Sequence, residues 1–152
     1  MIKTKKGQAL YKKAKKIIPG GNSFFSKRPE IFLPKGWPPY FKKTKGCFVW
    51  DIDNNKYIDT IMSLGAVIIG HSNNQFNNSL VKQLNKGTTL SLTSDLEIEL
   101  SELITKYVPS AEMVRFGKNG NDATTVAVRL ARHYTKRNHI LFCGYHAWQD
   151  WY

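Results

Sequence analysis

The feature that most restricts the fold is a strand–helix–strand succession in the last third of the chain. Residues 113–116 read as a strand. Ala123, Val126, Ala127, Leu130, Ala131 and Tyr134 then recur at i, i+3, i+4, i+7, i+8 and i+11, and residues 140–143 read as a second short strand. A helix of this length between two strands predicts a βαβ unit with parallel strands and a right-handed crossover, hence an α/β fold. Parallel strands end on the same edge of their sheet, so the loops at 117–121 and 144–148 are expected to be neighbours. Open α/β sheets bind ligands at that edge.

The preceding chain is less regular. Leu10, Ala14, Ile17 and Ile18 predict a short amphipathic helix, stopped by Pro19-Gly20-Gly21. The stretch from there to Tyr40 is rich in Pro, Gly and aromatics without a period, and reads as an extended arm. Runs at 47–52 and 57–61 flank Asp53-Asn54-Asn55-Lys56 and predict a β-hairpin, because Asn and Asp tolerate the positive φ of a tight turn. Its carboxylates, Asp51, Asp53 and Asp59, are expected to face solvent or the turn. Phe76, Leu80, Val81 and Leu84 predict a helix ending near Gly87. Leu96, Leu100, Leu103, Ile104 and Tyr107 predict another, capped by Ser94 or Asp95 and stopped before Pro109.

Charge is unevenly placed. Thirteen of the 23 Lys and Arg lie in residues 1–45 with Glu30 as the one acid, so that arm holds the whole net +12 and the remainder is neutral. Aromatics interleave with these cations, which suits a nucleic-acid surface in composition. Lysine greatly outnumbers arginine, however, and base-reading surfaces favour arginine, so nucleic acid is not the expected partner. No apolar run approaches the roughly 18 residues of a membrane span. The basic first twenty residues lack the apolar stretch of a secretory signal, and a cytoplasmic location is expected. Cys47 and Cys143 sit among strand-forming residues and are expected to be reduced and buried. His71, after Gly70, suits a turn better than a metal.

Two loops carry the candidate chemistry. Gly117-Lys118-Asn119-Gly120-Asn121-Asp122 leads into the long helix, where free amides and the helix dipole attract an anion. Gly120 allows close approach of the main chain, and Lys118 adds charge. An ordinary capped turn has the same spacing. In the second loop Tyr145 and His146 suit stacking on a flat heteroaromatic ring, or packing in an aromatic cluster with Trp148 and Trp151.

The run MVRFGKNGNDATTVAVRLARHYTKRNHILFCGYHAWQDWY resembles the class III pyridoxal-phosphate aminotransferases, within them the glutamate-1-semialdehyde aminomutase-like group. Upstream, IPGGNSFFSKRPE, KGCFVWDIDNNKYIDTIMSLGAVIIGH and LTSDLEIELSELI are similar to the same family in the same order. The resemblance implies a fold-type I PLP-dependent transferase: residues 1–61 as amino-terminal helix, arm and hairpin of the small domain, and 62–152 as the start of the large-domain parallel sheet. It implies pyridoxal 5'-phosphate as cofactor, with Asn119, Gly120 and Asn121 at the phosphate, Tyr145 stacked on the ring and His146 beside it. A small amino donor, a carbonyl acceptor and a homodimer are implied as partners.

The residues depart from the family at three places. Asn119 and Asn121 replace serine and threonine of the phosphate loop, Ala147 stands where glycine is usual, and the arm does not reproduce the arginine-bearing segment that meets the substrate carboxylate. Lys27 or Arg28 would substitute there. The family's Schiff-base lysine and the aspartate that pairs with the pyridine nitrogen have no counterpart among these residues. The chain therefore reads as the amino-terminal portion of a longer enzyme, inactive alone and exposing apolar surface. The rival reading is a non-catalytic basic module that binds anions or nucleic acid.

Overall fold

Hairpin residues reach back to the first helix and decide where it begins. In the computed structural model, which describes residues 2–33 and 35–144, α1 (Lys5–Ala14) has no acid in its first turn, and Thr4 supplies no side-chain cap. Its orphan amides are met instead by Asp53, whose Oδ1 accepts from Lys6 N at 2.9 Å and Oδ2 from Gly7 N at 2.7 Å. Asn55 Oδ1 accepts from Lys3 N at 3.2 Å. This borrowed cap explains why α1 starts at Lys5, ahead of the apolar residues at Leu10 and beyond. The helix ends at Ala14, and the rest of the expected helix, residues 15–18, is a turn closed by Ile18 N donating to Ala14 O.

The expected hairpin forms within a three-stranded antiparallel sheet, β1 (Phe41–Lys45), β2 (Phe48–Asp51) and β3 (Lys56–Ile58), in that order. Val49 pairs with Thr44 on one side and Tyr57 on the other, and Asn54 takes φ +69° in the turn. Strand β1 has no apolar alternation. Its Phe-Lys-Lys-Thr-Lys sequence is that of an exposed edge, where lysines discourage further pairing. On β2 the alternation is clean, with Val49 and Asp51 buried and Phe48 and Trp50 half-buried. Lys56 Nζ lies 3.6 Å from the Phe48 ring centre, and Lys43 Nζ 4.9 Å from that of Trp50.

Asp51 corrects one expectation, since it points into the core instead of toward solvent. Three donors offset its burial: Asn55 N at 2.8 Å, Asn55 Nδ2 at 2.7 Å and the Tyr57 hydroxyl at 2.9 Å. Burial and the Asp51 carboxylate push the Tyr57 hydroxyl up to about 12. The arm is pinned in the same manner. The Tyr11 hydroxyl oxygen lies 2.6 Å from Glu30 Oε2 and 3.0 Å from Gly20 O, and the Tyr40 hydroxyl donates to Gly21 O. Burial, with the Glu30 carboxylate beside it, raises Tyr11 to about 12, while the hydrogen bond from Tyr11 holds Glu30 down at about 2. Gly21, at φ +80°, faces this core, and a Cβ there would stand 2.3 Å from the Tyr11 ring.

The chain divides into two compact units, Met1–Thr89 and Leu90–Tyr152. The first also holds α2 (Asn74–Leu84), capped by Asn73. The second holds α3 (Asp95–Tyr107), whose N-cap is Ser94, and α4 (Gly120–Thr135). The strands expected at 113–116 and 140–143 do not form: neither segment belongs to a strand. A parallel pair is stable when sheltered on both faces. Here α3 and α4 bury no residue, and Leu100, Leu103, Val126 and Leu130 remain about half exposed or more. Cys47 and Cys143, expected to be buried, are likewise exposed free thiols. Among the described residues the buried apolar core is Tyr11, Ala14 and Val49. None of the described helices is long and apolar enough to cross a membrane.

Candidate functional site

The start of α4 is built by two side chains that satisfy one another's backbone. Asn119, the N-cap, accepts at Oδ1 from Asp122 N at 3.1 Å. Asp122 Oδ2 accepts in return from Asn119 N at 3.2 Å and from Lys118 N at 3.0 Å. This is a capping box of the Asn-x-x-Asp pattern. Gly117 makes room for it, because a Cβ there would lie 2.9 Å from Asp122 Cβ.

The box leaves two amides over. Gly120 N and Asn121 N, the first two donors of a 16-residue helix, have no acceptor among the described residues. They sit at the positive end of the helix dipole, where an anion is held best. A Cβ on Gly120 would meet nothing within 4 Å, so the space beside the helix start at this residue is open. Asp122 brings a negative charge into the same turn, partly balanced by the two N–H groups it accepts. The donor set therefore fits a phosphate group: two successive helix-start amides, preceded in the chain by Lys118 and Asn119.

The remaining expected site residues fall elsewhere. Tyr145 and His146 lie outside the described residues, as does most of the loop expected beside 117–121. Lys27 is exposed, with Nζ 4.8 Å from the Phe24 ring centre. Arg28 is half-buried, its guanidinium 5.3 Å from the Phe25 ring centre and packed against Gly20, where a Cβ would come within 2.2 Å of Cζ. Arg28 Nε is buried without a hydrogen-bond partner. His71 forms an isolated antiparallel bridge with Gly46, not the turn expected of it, and pairs with Asp59 at 2.8 Å. Among the described residues no group of three or more potential metal ligands occurs.

The family model for class III aminotransferases matches residues 35–146, a span that contains the whole α4 start. The chain belongs to the class III aminotransferases. It is 44% identical over 152 residues to a glutamate-1-semialdehyde 2,1-aminomutase of Wigglesworthia glossinidia brevipalpis, an alignment covering 99% of this chain and 34% of that protein. It is 37% identical to a 3-aminobutyryl-CoA aminotransferase of Cloacimonas acidaminovorans, over 99% of this chain and 36% of the relative. Among solved structures, a transaminase with PLP bound superposes with a TM-score of 0.87 at 29% identity, over 99% of this chain and 35% of that one. An omega-transaminase from Sphaerobacter thermophilus gives 0.78 at 31% identity, over 88% and 30%. The fold is accordingly the α/β, fold-type I architecture of this family. The chain spans about a third of the length of the class III relatives it matches.

Proposed function

We propose that this class III chain is the part of a PLP-dependent transaminase or aminomutase that holds the cofactor phosphate. The observation that carries the reading is the pair of unpartnered amides, Gly120 N and Asn121 N, at the start of α4. They occupy the positions that match the family's phosphate loop. Bound pyridoxal phosphate supplies an electron sink at the substrate's α-carbon. The chain's own residues do the holding: Gly120 and Asn121 donate to phosphate oxygens, Lys118 contributes charge, and the Asn119–Asp122 box fixes the helix start so that both amides point outward. Tyr145 and His146 are assigned to the pyridine ring on the family pattern.

The substrates are a small amino donor and an aldehyde or ketone acceptor, with a glutamate-1-semialdehyde-like compound as one such pair within a single molecule. Lys27 and Arg28 are assigned to a substrate carboxylate. The buried, unmet Nε–H of Arg28 supports this, because a buried donor without a partner is costly unless an acceptor arrives. The division of the complete enzyme into a small domain through residue 61 and a large domain from 62, homodimerisation and a cytoplasmic location belong to the same proposal. The rival basic module is not favoured, since family membership accounts for residues 35–146 and likeness to its members for nearly all the rest.

The deciding experiment assays the complete enzyme, with this segment in place, for amino transfer against a panel of amino donors and carbonyl acceptors. Turnover that requires added pyridoxal phosphate is expected. Cofactor-independent activity, or salt-sensitive nucleic-acid binding by residues 1–45 without any transfer, would reject the reading.

A further inference from the structure

Residues 60–70 leave the sheet and return to it at one place. On leaving, Asp59 N donates to Cys47 O at 2.8 Å. On return, Gly46 and His71 exchange both backbone hydrogen bonds, each 2.8 Å. The segment between is a closed loop of the Ω type. Its first turn passes through Met62, Ser63 and Leu64 with φ of +47°, +52° and +58° in succession. That is left-handed backbone at three residues that do not favour it. Such strain persists only where the surroundings impose it.

Here one carboxylate does so. Asp59 Oδ1 accepts from Ile61 N at 3.0 Å and Met62 N at 3.1 Å, which fixes the entry to the turn. Asp59 Oδ2 accepts from His71 Nε2 at 2.8 Å, and the two side chains are only 14% and 11% exposed. His71 is itself anchored by its backbone to Gly46, so the orientation of the carboxylate is set from the sheet. We infer that Asp59 and His71 are positioning residues, a clasp that holds the left-handed turn and so sets the direction in which Leu64, 90% exposed, is presented. Neither residue takes part in the phosphate site, and the inference stands apart from that reading.

Amide hydrogen exchange on the complete enzyme that contains this segment tests it. His71→Leu keeps bulk and removes the donor, whereas His71→Gln keeps an N–H at similar reach. In His71→Leu the amides of Ile61, Met62 and Leu64 should exchange about tenfold faster or more, while those of β2 and β3 keep their rates. His71→Gln should retain protection, and adding Leu64→Gly to His71→Leu should restore part of it by relieving the strain. Equal acceleration across all of residues 1–89, no acceleration at 61–64, or a glutamine variant that behaves like leucine overturns the inference. Should His71→Leu fail to fold, Leu64→Gly alone decides: slower exchange at 61–67 supports a strained, clasped turn, and unchanged or faster exchange refutes it.

Discussion

Gly120→Ala separates what α4 needs from what a bound phosphate needs, because the two effects have opposite signs. Gly120 is the first residue of the helix, its φ is not positive, and a Cβ there meets nothing within 4 Å. Alanine at such a position stabilises by about 0.4–1 kcal/mol, chiefly by restricting the unfolded chain. If the phosphate sits at this helix start as proposed, the added methyl group competes with it for the open space beside Gly120. Displacing phosphate from one amide removes a hydrogen bond to a charged acceptor, worth about 1.5–3 kcal/mol, and so weakens affinity by roughly 10- to 150-fold. Thermal unfolding followed by circular dichroism reads the first effect, and quenching of tryptophan fluorescence on titration with pyridoxal phosphate reads the second. The expected result is a higher Tm with weaker binding, more pronounced for binding in Gly120→Leu. Unchanged affinity in the leucine variant would show that the phosphate lies elsewhere, and a parallel fall in Tm and affinity would show only damage to the helix.

Three further outcomes follow from the geometry. Gly21→Ala places a Cβ 2.3 Å from the Tyr11 ring at φ +80°, and strain plus overpacking should cost about 2–5 kcal/mol in urea unfolding. The hydrogen bond from His71 holds the Asp59 carboxyl below its ordinary range. Its contribution to stability is therefore complete above the unfolded carboxylate pKa and disappears as pH falls through the lower native value, and Asp59→Asn should flatten that dependence in unfolding measured across acid pH. In this segment taken without the rest of the enzyme, Leu130→Lys, on the exposed stripe of α4, should change stability by no more than about 0.5 kcal/mol. It should nonetheless reduce binding of a hydrophobic dye, and a clear loss of helix would mean that the stripe is packed.

What the sequence could reveal depended on whether the controlling interactions were local. Helix α4 is legible from its apolar period, which lies within the helix, whereas the Asn119–Asp122 box emerges only in the structure. Helices α2 and α3 are legible likewise, α3 with Ser94 as its expected cap, while the Asn73 cap of α2 emerges only in the structure. The start of α1 was not, because its amides are met by Asp53 and Asn55 from across the hairpin. Strand β1 was hidden by lysines that suit an edge. The two parallel strands were misjudged for a related reason: a four-residue apolar run forms a strand only when neighbours pair and cover it, and here Leu141 stands fully exposed. The left-handed turn had no local signal at Met62, Ser63 or Leu64. At the candidate site, the start of α4 after Asn119 is readable, but the consumption of the Lys118 and Asn119 amides by Asp122 is not.

The cap that α1 borrows also orders events during synthesis. The helix leaves the ribosome before the hairpin, yet its leading amides have no lasting acceptor until Asp53 and Asn55 have been made and the hairpin has closed. Maturation of α1 therefore waits on residues translated later, and a pause or break before residue 53 would leave that helix frayed.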